Sequence, residues 1–308
     1  MLPAAMDGRI RSDGDRRWLS RASLNVSETP LDIFARVLQA VGLSPVEEGL
    51  AALRFWGQTG DRPSVWIAAA DPIHLEAMLD HVRLHALTGS QSPKTDVQAI
   101  FDFLQDSLGE DMGYAFARVG KYGYLRSDRP IATASVSAAV IDGMQPEEFM
   151  PAGESAAAYH KLTGELQMSL HEHEVNLRRE AQGLLPVNAV WLWGGGMAPD
   201  KKVKALPPLF GDDPVLKGYW ESRTGLIEPW PGTIDRCLDI AVKDFVVVTP
   251  ESEAGEDALA SYFAELRQFL KAGRLRRLLL IFRDGLTAEV GCISDLAPSS
   301  QAVVKPDR

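Results

Sequence analysis

The chain has 308 residues, 45% of them hydrophobic, and its 42 acidic and 32 basic side chains leave a net charge of −10 at pH 7. An acidic surface repels phosphate backbones and anionic lipids, so we expect neither nucleic-acid nor membrane binding unless a local basic patch exists. Its two cysteines, Cys237 and Cys292, are too few for a disulfide framework, and no apolar run reaches the ~18 residues of a membrane span, so we expect a cytoplasmic protein.

The N-terminal part of the chain is predicted to hold a flexible terminus, two helices and a strand. Residues 1–25 are rich in Arg, Asp and Gly, a composition typical of flexible termini. The apolar residues of 31–41 fall on one face of a helix. The apolar run 64–69 indicates a short buried strand. Asp71 and Pro72 then predict a new helix, because Asp caps helices and Pro fits the first turn.

That helix would run toward Gly89 and carry three histidines on one side, His74, His81 and His85. We interpret them as part of a solvated helix surface, with a pH-sensitive or ligand-binding role as the alternative.

The next segments predict a helix and a hairpin. Residues 97–108 continue a helical pattern that Gly109 closes, and 114–119 and 122–126 read as strands. The two residues between these strands begin with Gly120, which favours a type II′ turn. Residues 127–153 have no clear pattern.

A long amphipathic helix is predicted over 154–182, followed by a buried strand. Gly183 ends the helix, and the segment 186–193 (PVNAVWLW) is apolar on both faces apart from Asn188. Such a strand is typical of the centre of a parallel sheet. Its triple glycine, 194–196, predicts a turn at the ligand-binding end of the sheet. The apolar stripe of the helix comprises Leu162, Leu166, Leu170, His173 and Leu177.

Polar residues follow one another at regular spacing across this helix and strand. His173, Asn176 and Arg179 fan from the buried face toward its edge, at about 100° per residue. Two interpretations stay open: these residues line a ligand pocket with the glycines as an anion cradle, or they form a buried bracing network with the glycines as a tight turn. The candidate ligand-binding residues are His173, Asn176, Arg179, Asn188, Gly194, Gly195 and Gly196.

A metal site is not predicted on this helix. His171 and His173 are two positions apart, so their imidazoles point about 200° apart and cannot share one ion.

The C-terminal part of the chain ends in regular elements. Residues 197–236 are rich in Pro and Gly and predict an irregular excursion. A strand (244–249), a helix (255–272) and a hairpin with Asp284 and Gly285 in its turn follow. We therefore predict an α/β fold with a mixed, largely parallel sheet flanked by helices, and with hairpins near 114–126 and 278–292. Its domains would be a flexible N-terminus (1–25), a single domain (26–294, or two lobes split near 130–153) and a tail (295–308).

The polar pattern resembles that of a known family. The spacing His173-x2-Asn176-x2-Arg179, with Gly183, Pro186 and Asn188 after it, resembles a segment of the archaeal-type cofactor-independent phosphoglycerate mutases of the alkaline-phosphatase superfamily. It resembles the RpfE-type bacterial regulatory proteins more closely. The run Trp191-Leu192-Trp193-Gly194 and the motif Asp71-Pro72-x-His74-Leu75 also fit that bacterial group.

The resemblance implies, for an active mutase, two divalent metals held by Asp and His and a Ser or Thr phosphorylated in transit. It also implies an Asp-Gly motif after an N-terminal strand and a late Gly-Asp-His motif. Here the Asp-Gly pairs at Asp7 and Asp13 lie in a polar stretch, and no histidine follows His173. Trp193 replaces the arginine that typically precedes the glycines in the mutases. We therefore predict no catalytic residue, metal ligand or cofactor, with two divalent metal ions as the alternative.

Three functions are compatible with these observations. The preferred one is a non-catalytic or regulatory phosphoglycerate-mutase-like protein that binds a small ligand or a protein partner. The second is a metal-dependent mutase-like isomerase or phosphotransferase. The third is a protein-interaction module that docks through the Trp- and Pro-rich segment 205–232, because exposed aromatic residues often anchor partners.

Overall fold

The computed structural model describes residues 10, 12–26, 33–109, 113–171, 173–241, 243–250, 256–282 and 285–291. The chain divides into two compact units, which we call the central unit (residues 30–228) and the terminal unit (residues 1–29 and 229–308). This differs from the predicted single domain after a flexible N-terminus. The two ends of the chain share a unit because a strand near each end pairs with the other. The predicted tail 295–308 lies outside the described residues.

The secondary structure up to residue 127 contains four helices and five strands in the described ranges. In chain order they are α1 (Asp13–Leu19), β1 (Ser23–Val26), α2 (Ile33–Ala40), α3 (Leu50–Thr59), β2 (Ile67–Ala77), β3 (Val82–Ala86), α4 (Lys94–Leu104), β4 (Tyr114–Val119) and β5 (Tyr122–Ser127). The N-terminal region predicted to be flexible therefore includes α1 and β1.

The elements after residue 127 are α5 (Ala157–Leu170), α6 (Glu174–Ala181), β6 (Ala189–Gly196), β7 (Leu209–Phe210), α7 (Pro214–Ser222), β8 (Ile227–Glu228), α8 (Ile234–Ile240), β9 (Val246–Val247), α9 (Glu256–Lys271), β10 (Arg277–Ile281) and β11 (Leu286–Gly291). Within the described part of the chain, no helix is long and apolar enough to cross a bilayer.

The central unit is built on a five-stranded sheet in the order β3-β2-β5-β4, with β6 paired to β2. Its β2 strand pairs with β5 and β3 along one edge and with β6 along the other. The mixed α/β class and the hairpin near 114–126 are confirmed. The prediction of a largely parallel sheet is wrong, because all four strand pairs of this sheet are antiparallel. Two of these pairs, β2 with β3 and β4 with β5, are joined by short turns, which require an antiparallel arrangement.

The segment after Asp71 was predicted to be a helix, and this prediction is wrong. Residues Ile67–Ala77 form one long strand, which turns back into β3. Pro72 is tolerated inside it because Asp71 and Pro72 lie between the stretch that pairs with β5 and the stretch that pairs with β3. His74 consequently sits opposite His85 across the hairpin, with 6.0 Å between the ring centroids, rather than on a helix surface.

The two faces of the central sheet are covered by different helices. Ala68, Ala70 and Leu192 belong to the core on one face, together with apolar residues of α4 and α5. The other face meets α3, which also packs closely against α7. A Cβ added at Gly218 would lie 1.9 Å from the main-chain oxygen of Leu53, so glycine is required where these two helices meet.

The long helix predicted over 154–182 is broken into α5 and α6. Leu162, Leu166 and Leu170 are buried as predicted, but Leu177 is 69% exposed. The break occurs because His173 has extended backbone angles and caps α6, its Nδ1 accepting a hydrogen bond from the N–H of Val175. A side-chain acceptor at this position satisfies one of the free N–H groups of the new helix, which favours a fresh start over continuation.

The terminal unit contains a three-stranded antiparallel sheet in the order β1-β11-β10, packed against α9. The predicted C-terminal strands and their hairpin are confirmed by the pairing of β10 with β11. Cys237 of α8 is buried, and burial raises the pKa of its thiol to about 12. Cys292 lies outside the described residues.

The segment 197–236, predicted to be irregular, contains β7, α7, β8 and the start of α8. Its Trp220 is wholly buried and donates a hydrogen bond from Nε1 to the carbonyl oxygen of Pro207 at 2.7 Å. Trp230 is half-buried and packs edge-on against Tyr262 of the terminal unit. These contacts leave Trp220 no exposed face with which to anchor a partner.

Candidate functional site

Asn176 holds together the loop between α6 and β6. Its Nδ2 donates to the carbonyl oxygens of Leu170 and Val187, both at 2.9 Å, and its Oδ1 accepts from the N–H of Val187 at 2.8 Å. The side chain is buried, so these bonds replace those that water would otherwise make. Asn176 therefore ties the end of α5 to Val187, two residues before β6.

Arg179 ties the same loop to the start of α4. Its Nε donates to the carbonyl oxygen of Leu185 at 2.8 Å and one Nη donates to that of Gln91 at 2.6 Å. The other Nη pairs with the Asp96 carboxylate at 2.8 Å. Only 1% of Arg179 is exposed, so this ion pair is shielded from solvent. All of these partners of the guanidinium belong to the chain itself.

The side-chain amide of Asn188 extends the hydrogen bonding of the sheet. Its Oδ1 accepts from the N–H of Leu75 at 2.7 Å, and its Nδ2 donates to the carbonyl oxygen of Leu75 at 2.9 Å. The side-chain amide thus copies the exchange of bonds between two strands, just where β6 begins.

We expect Asn188→Ala to lower the free energy of unfolding by about 1–2 kcal/mol, because both main-chain groups of Leu75 lose a partner in a half-buried position. Denaturant unfolding followed by circular dichroism measures this. Asn188→Asp serves as a comparison, since it keeps the acceptor and loses the donor. Its free energy of unfolding should lie between those of the wild type and Asn188→Ala. An unchanged midpoint for Asn188→Ala would contradict the structural role.

His173 stands apart from the three residues above. Its ring lies against Phe103, with 4.4 Å between ring centroids, and partial burial lowers its pKa. The capping bond requires an unprotonated Nδ1, so protonation would remove the acceptor as well as place a charge beside an apolar ring.

The sign of the resulting pH dependence follows from this lowered pKa. Between the folded and unfolded pKa values of His173 the unfolded chain binds more protons, so stability falls as the pH drops below the ordinary histidine pKa. We expect wild-type protein to lose more stability between pH 7 and pH 5.5 than His173→Asn, which keeps a capping oxygen without titrating. Melting temperatures at the two pH values measure the difference. Parallel curves for the two proteins would refute it.

The three glycines were predicted to form a turn after the strand, but they lie inside β6. Gly194 donates its N–H to the carbonyl oxygen of Ala134 and Gly195 donates to Oγ1 of Thr133. Gly196 lies against the residue before α3, where an added Cβ would be 2.4 Å from the nitrogen of Gly49. Their lack of side chains lets neighbouring groups approach β6 closely, so they serve packing, but not as the predicted tight turn. The N–H groups of Gly194 and Gly195 bind the chain itself.

We use the name polar elbow for residues 173–196. The structure joins Asn176 and Arg179 through the loop 185–187, and Asn188 continues that loop into the sheet. The glycines occupy the far end of β6, and His173 caps α6. The contacts of the first three residues correspond to the bracing interpretation. Ligand binding by the seven candidate residues stays a prediction.

A second polar cluster was not predicted. Arg54 of α3 is buried and pairs through one Nη with Oδ1 of Asp71 at 2.7 Å. Its other Nη donates to the carbonyl oxygen of Gly123 at 2.8 Å. Oδ2 of Asp71 accepts from Nε1 of Trp193 at 2.5 Å. Both oxygens of this carboxylate are therefore bound by groups of the chain.

Aromatic rings surround this ion pair. The guanidinium carbon of Arg54 lies 4.9 Å, 4.8 Å and 5.2 Å from the ring centroids of Tyr122, Tyr124 and Trp193. Burial tends to lower the pKa of Arg54, but the interactions with Asp71 and Tyr124 together outweigh it and the pKa is raised. Burial raises the pKa of Tyr124 to about 12, so its hydroxyl stays protonated. The Asp71 motif was visible in the sequence, but nothing local marked Arg54 as its partner.

The described residues do not fit a dinuclear metal centre of the mutase kind. No three His, Cys, Asp or Glu side chains within the described ranges gather closely enough to hold an ion. Asp71 is paired with a cation, which opposes a second positive charge beside it. Asp13 lies in the first turn of α1, and Asp80 and His81 pair with each other at an exposed hairpin turn. We therefore derive no chemical step through metal ions.

Comparison with known proteins finds short matches to one enzyme family. The chain is 39% identical over 59 residues to the 2,3-bisphosphoglycerate-independent phosphoglycerate mutase of Methanosarcina barkeri, covering 19% of this chain and 15% of that enzyme. It is 39% identical over 88 residues to the enzyme of the same name from Methanothrix thermoacetophila, covering 29% and 21%. The matches thus span about a fifth or less of the curated relatives' length. No family model matches the chain.

Two solved structures were also found. A cofactor-independent phosphoglycerate mutase from Thermoplasma acidophilum is 18% identical, with a TM-score of 0.40 over 91% of this chain and 82% of that one. The PH0037 protein from Pyrococcus horikoshii is 12% identical, with a TM-score of 0.48 over 94% and 80%. The sequence matches establish the relationship: part of this chain is homologous to the cofactor-independent phosphoglycerate mutases.

Proposed function

We propose that this chain is a non-catalytic, regulatory relative of the phosphoglycerate mutases, of the RpfE type, which binds a small ligand or a protein partner. In this proposal it acts in the cytoplasm and without a metal or organic cofactor. The observation that carries it is where the polar side chains of the polar elbow make their hydrogen bonds. Asn176 and Arg179, which resemble mutase residues, direct their hydrogen bonds to main-chain oxygens and to Asp96.

The second cluster supports the same proposal. Asp71 stands in the middle of the longest strand, yet its two oxygens are held by Arg54 and Trp193. A carboxylate engaged in this way is a poor metal ligand or general base, because displacing Arg54 would leave a buried cation unpaired. The features shared with an enzyme family would thus be kept for folding, while a binding function needs only an intact scaffold.

The direct test is a mutase assay on the purified full chain. We expect no interconversion of 3-phosphoglycerate and 2-phosphoglycerate above the blank, either with added Mn²⁺ or Mg²⁺ or with chelator. The Methanosarcina barkeri mutase, assayed in parallel, is the positive control that validates the metals and the buffer. Metal-dependent turnover by this chain, abolished by chelator, would overturn the proposal in favour of a mutase-like isomerase or phosphotransferase.

A further inference from the structure

A pocket bordered by several cationic side chains lies within the terminal unit. Its volume is about 340 Å³, and it opens between α1 and α9 beside the end of β11. We call it the basic pocket. Its lining includes four cationic side chains and an apolar floor, namely Arg17, Arg21, Arg267 and Lys271 with Trp18 and Leu270.

Helical spacing explains why these side chains converge. Arg17 and Trp18 lie four and three positions before Arg21, so α1 and the turn after it present both near Arg21. Arg267 and Lys271 are four positions apart and share a face of α9. Two helices therefore place cationic residues around one cavity. The cluster stands out because the net charge of the chain is −10.

The charges of the basic pocket are only partly neutralised. Arg267 pairs with Asp15 at 2.5 Å, and its guanidinium carbon lies 5.6 Å from the ring centroid of Trp18. The side chains of Arg21 and Lys271 have no ion-pair or hydrogen-bond partner among the residues that the structure describes. Two cations without partners beside an indole ring form a surface that is complementary to an anion with an apolar body.

We propose that the basic pocket binds a phosphorylated organic anion with a flat apolar body, of the size of a nucleoside diphosphate. Arginine and lysine bind phosphate oxygens through charge-assisted hydrogen bonds, and a flat ring can stack on Trp18. The cavity volume falls within the range of about 300–1,000 Å³ that is usual for small-molecule sites. This assignment gives the proposed binding function a location and a ligand class. It rests on that proposed function.

Calorimetric titration of the full chain tests the ligand class. Adenosine diphosphate is the probe, and inorganic phosphate and adenosine are titrated separately to supply each half of it. We expect the diphosphate to bind at least about tenfold more tightly than either half, because only it reaches both the cations and the indole. Equal binding of inorganic phosphate would overturn the ligand class, and no binding of the diphosphate would overturn the site.

A charge-matched pair of variants tests the location. Arg21→Gln with Lys271→Gln removes the two unpaired cations of the pocket, and Lys243→Gln with Arg276→Gln removes two exposed cations of the same unit outside its lining. We expect the first double variant to weaken diphosphate binding about tenfold or more and the second less than about twofold. An equal loss of affinity in both double variants would show that binding depends only on overall charge, and would refute the site. Melting curves verify that both variants fold.

The two proposals fail separately. If the diphosphate does not bind and the mutase assay is negative, the protein stays non-catalytic and its ligand binds elsewhere. Mutase turnover with intact diphosphate binding would instead remove the non-catalytic assignment and keep the pocket.

Discussion

Replacing Arg179 with methionine is expected to lower the free energy of unfolding by about 3–5 kcal/mol, because it leaves a shielded carboxylate without its partner. Asp96 would lose the Nη group at 2.8 Å, and the carbonyl oxygens of Gln91 and Leu185 would lose their donors. Methionine keeps much of the length of the arginine stem, so the loss reports the missing charge and hydrogen bonds more than a cavity. Denaturant unfolding followed by circular dichroism measures the difference.

The neighbouring residue provides the control for this variant. Arg178 is on the same helix, is half exposed, and contacts Glu174 at 3.6 Å in a surface pair. We expect Arg178→Met to change stability by no more than about 0.5 kcal/mol. Adding Asp96→Asn to Arg179→Met should recover part of the loss, because the unpaired charge is removed. If Arg179→Met unfolds like wild type, its guanidinium does not brace the fold and the ligand-binding interpretation of the polar elbow gains support.

Replacing Arg54 with methionine should have an effect of similar size, about 3–5 kcal/mol. It removes the partner of Asp71, the donor to Gly123 and the cation between three aromatic rings. These interactions link α3 to β2, β5 and β6, so we expect the loss to appear as a lower unfolding midpoint of the whole central unit.

Arg126 provides the matched control for Arg54. It lies on β5, is exposed, and contacts the still more exposed Asp128 at 3.4 Å. Arg126→Met should therefore cost less than about 1 kcal/mol. Asp71→Asn added to Arg54→Met is expected to restore part of the stability, since the amide still accepts from Trp193 and carries no charge. A neutral result for Arg54→Met alone would show that Asp71 does not depend on it and is free for another role.

Together these variants separate scaffold from site. If both arginines prove structural, the resemblance to phosphoglycerate mutases concerns the way the central unit is held together. The search for a ligand then moves to other surfaces, among them the basic pocket of the terminal unit. The mutase assay and the calorimetric titration address these two questions independently.

Local patterns in the sequence predicted several elements correctly. The apolar face of α2, the α4 helix with its π-helical continuation to Gly109, and the hairpin of β4 and β5 with Gly120 in its turn all depend on interactions between near neighbours. Periodicity, capping and turn chemistry act over a few residues, so they can be interpreted without knowing the rest of the fold. The same holds for the buried character of β6.

Distant contacts decided what the sequence left open. Asp71 and Pro72 look like a helix start, but pairing with β5, β3 and β6 on both edges makes this segment a strand. The glycines of β6 look like a turn, but close neighbours require them: Leu50 at Gly194, Trp66 at Gly195 and Gly49 at Gly196.

The sequence by itself determined the α/β class, the positions of the polar elbow and the likeness of that segment to the phosphoglycerate mutases. Only the tertiary structure decided that Asn176 and Arg179 bind the chain's own carbonyl oxygens, that Asp71 meets Arg54, and that four cations line one pocket. Those pairings join residues that are far apart in the chain, and a sequence pattern carries no record of which distant group a side chain will meet.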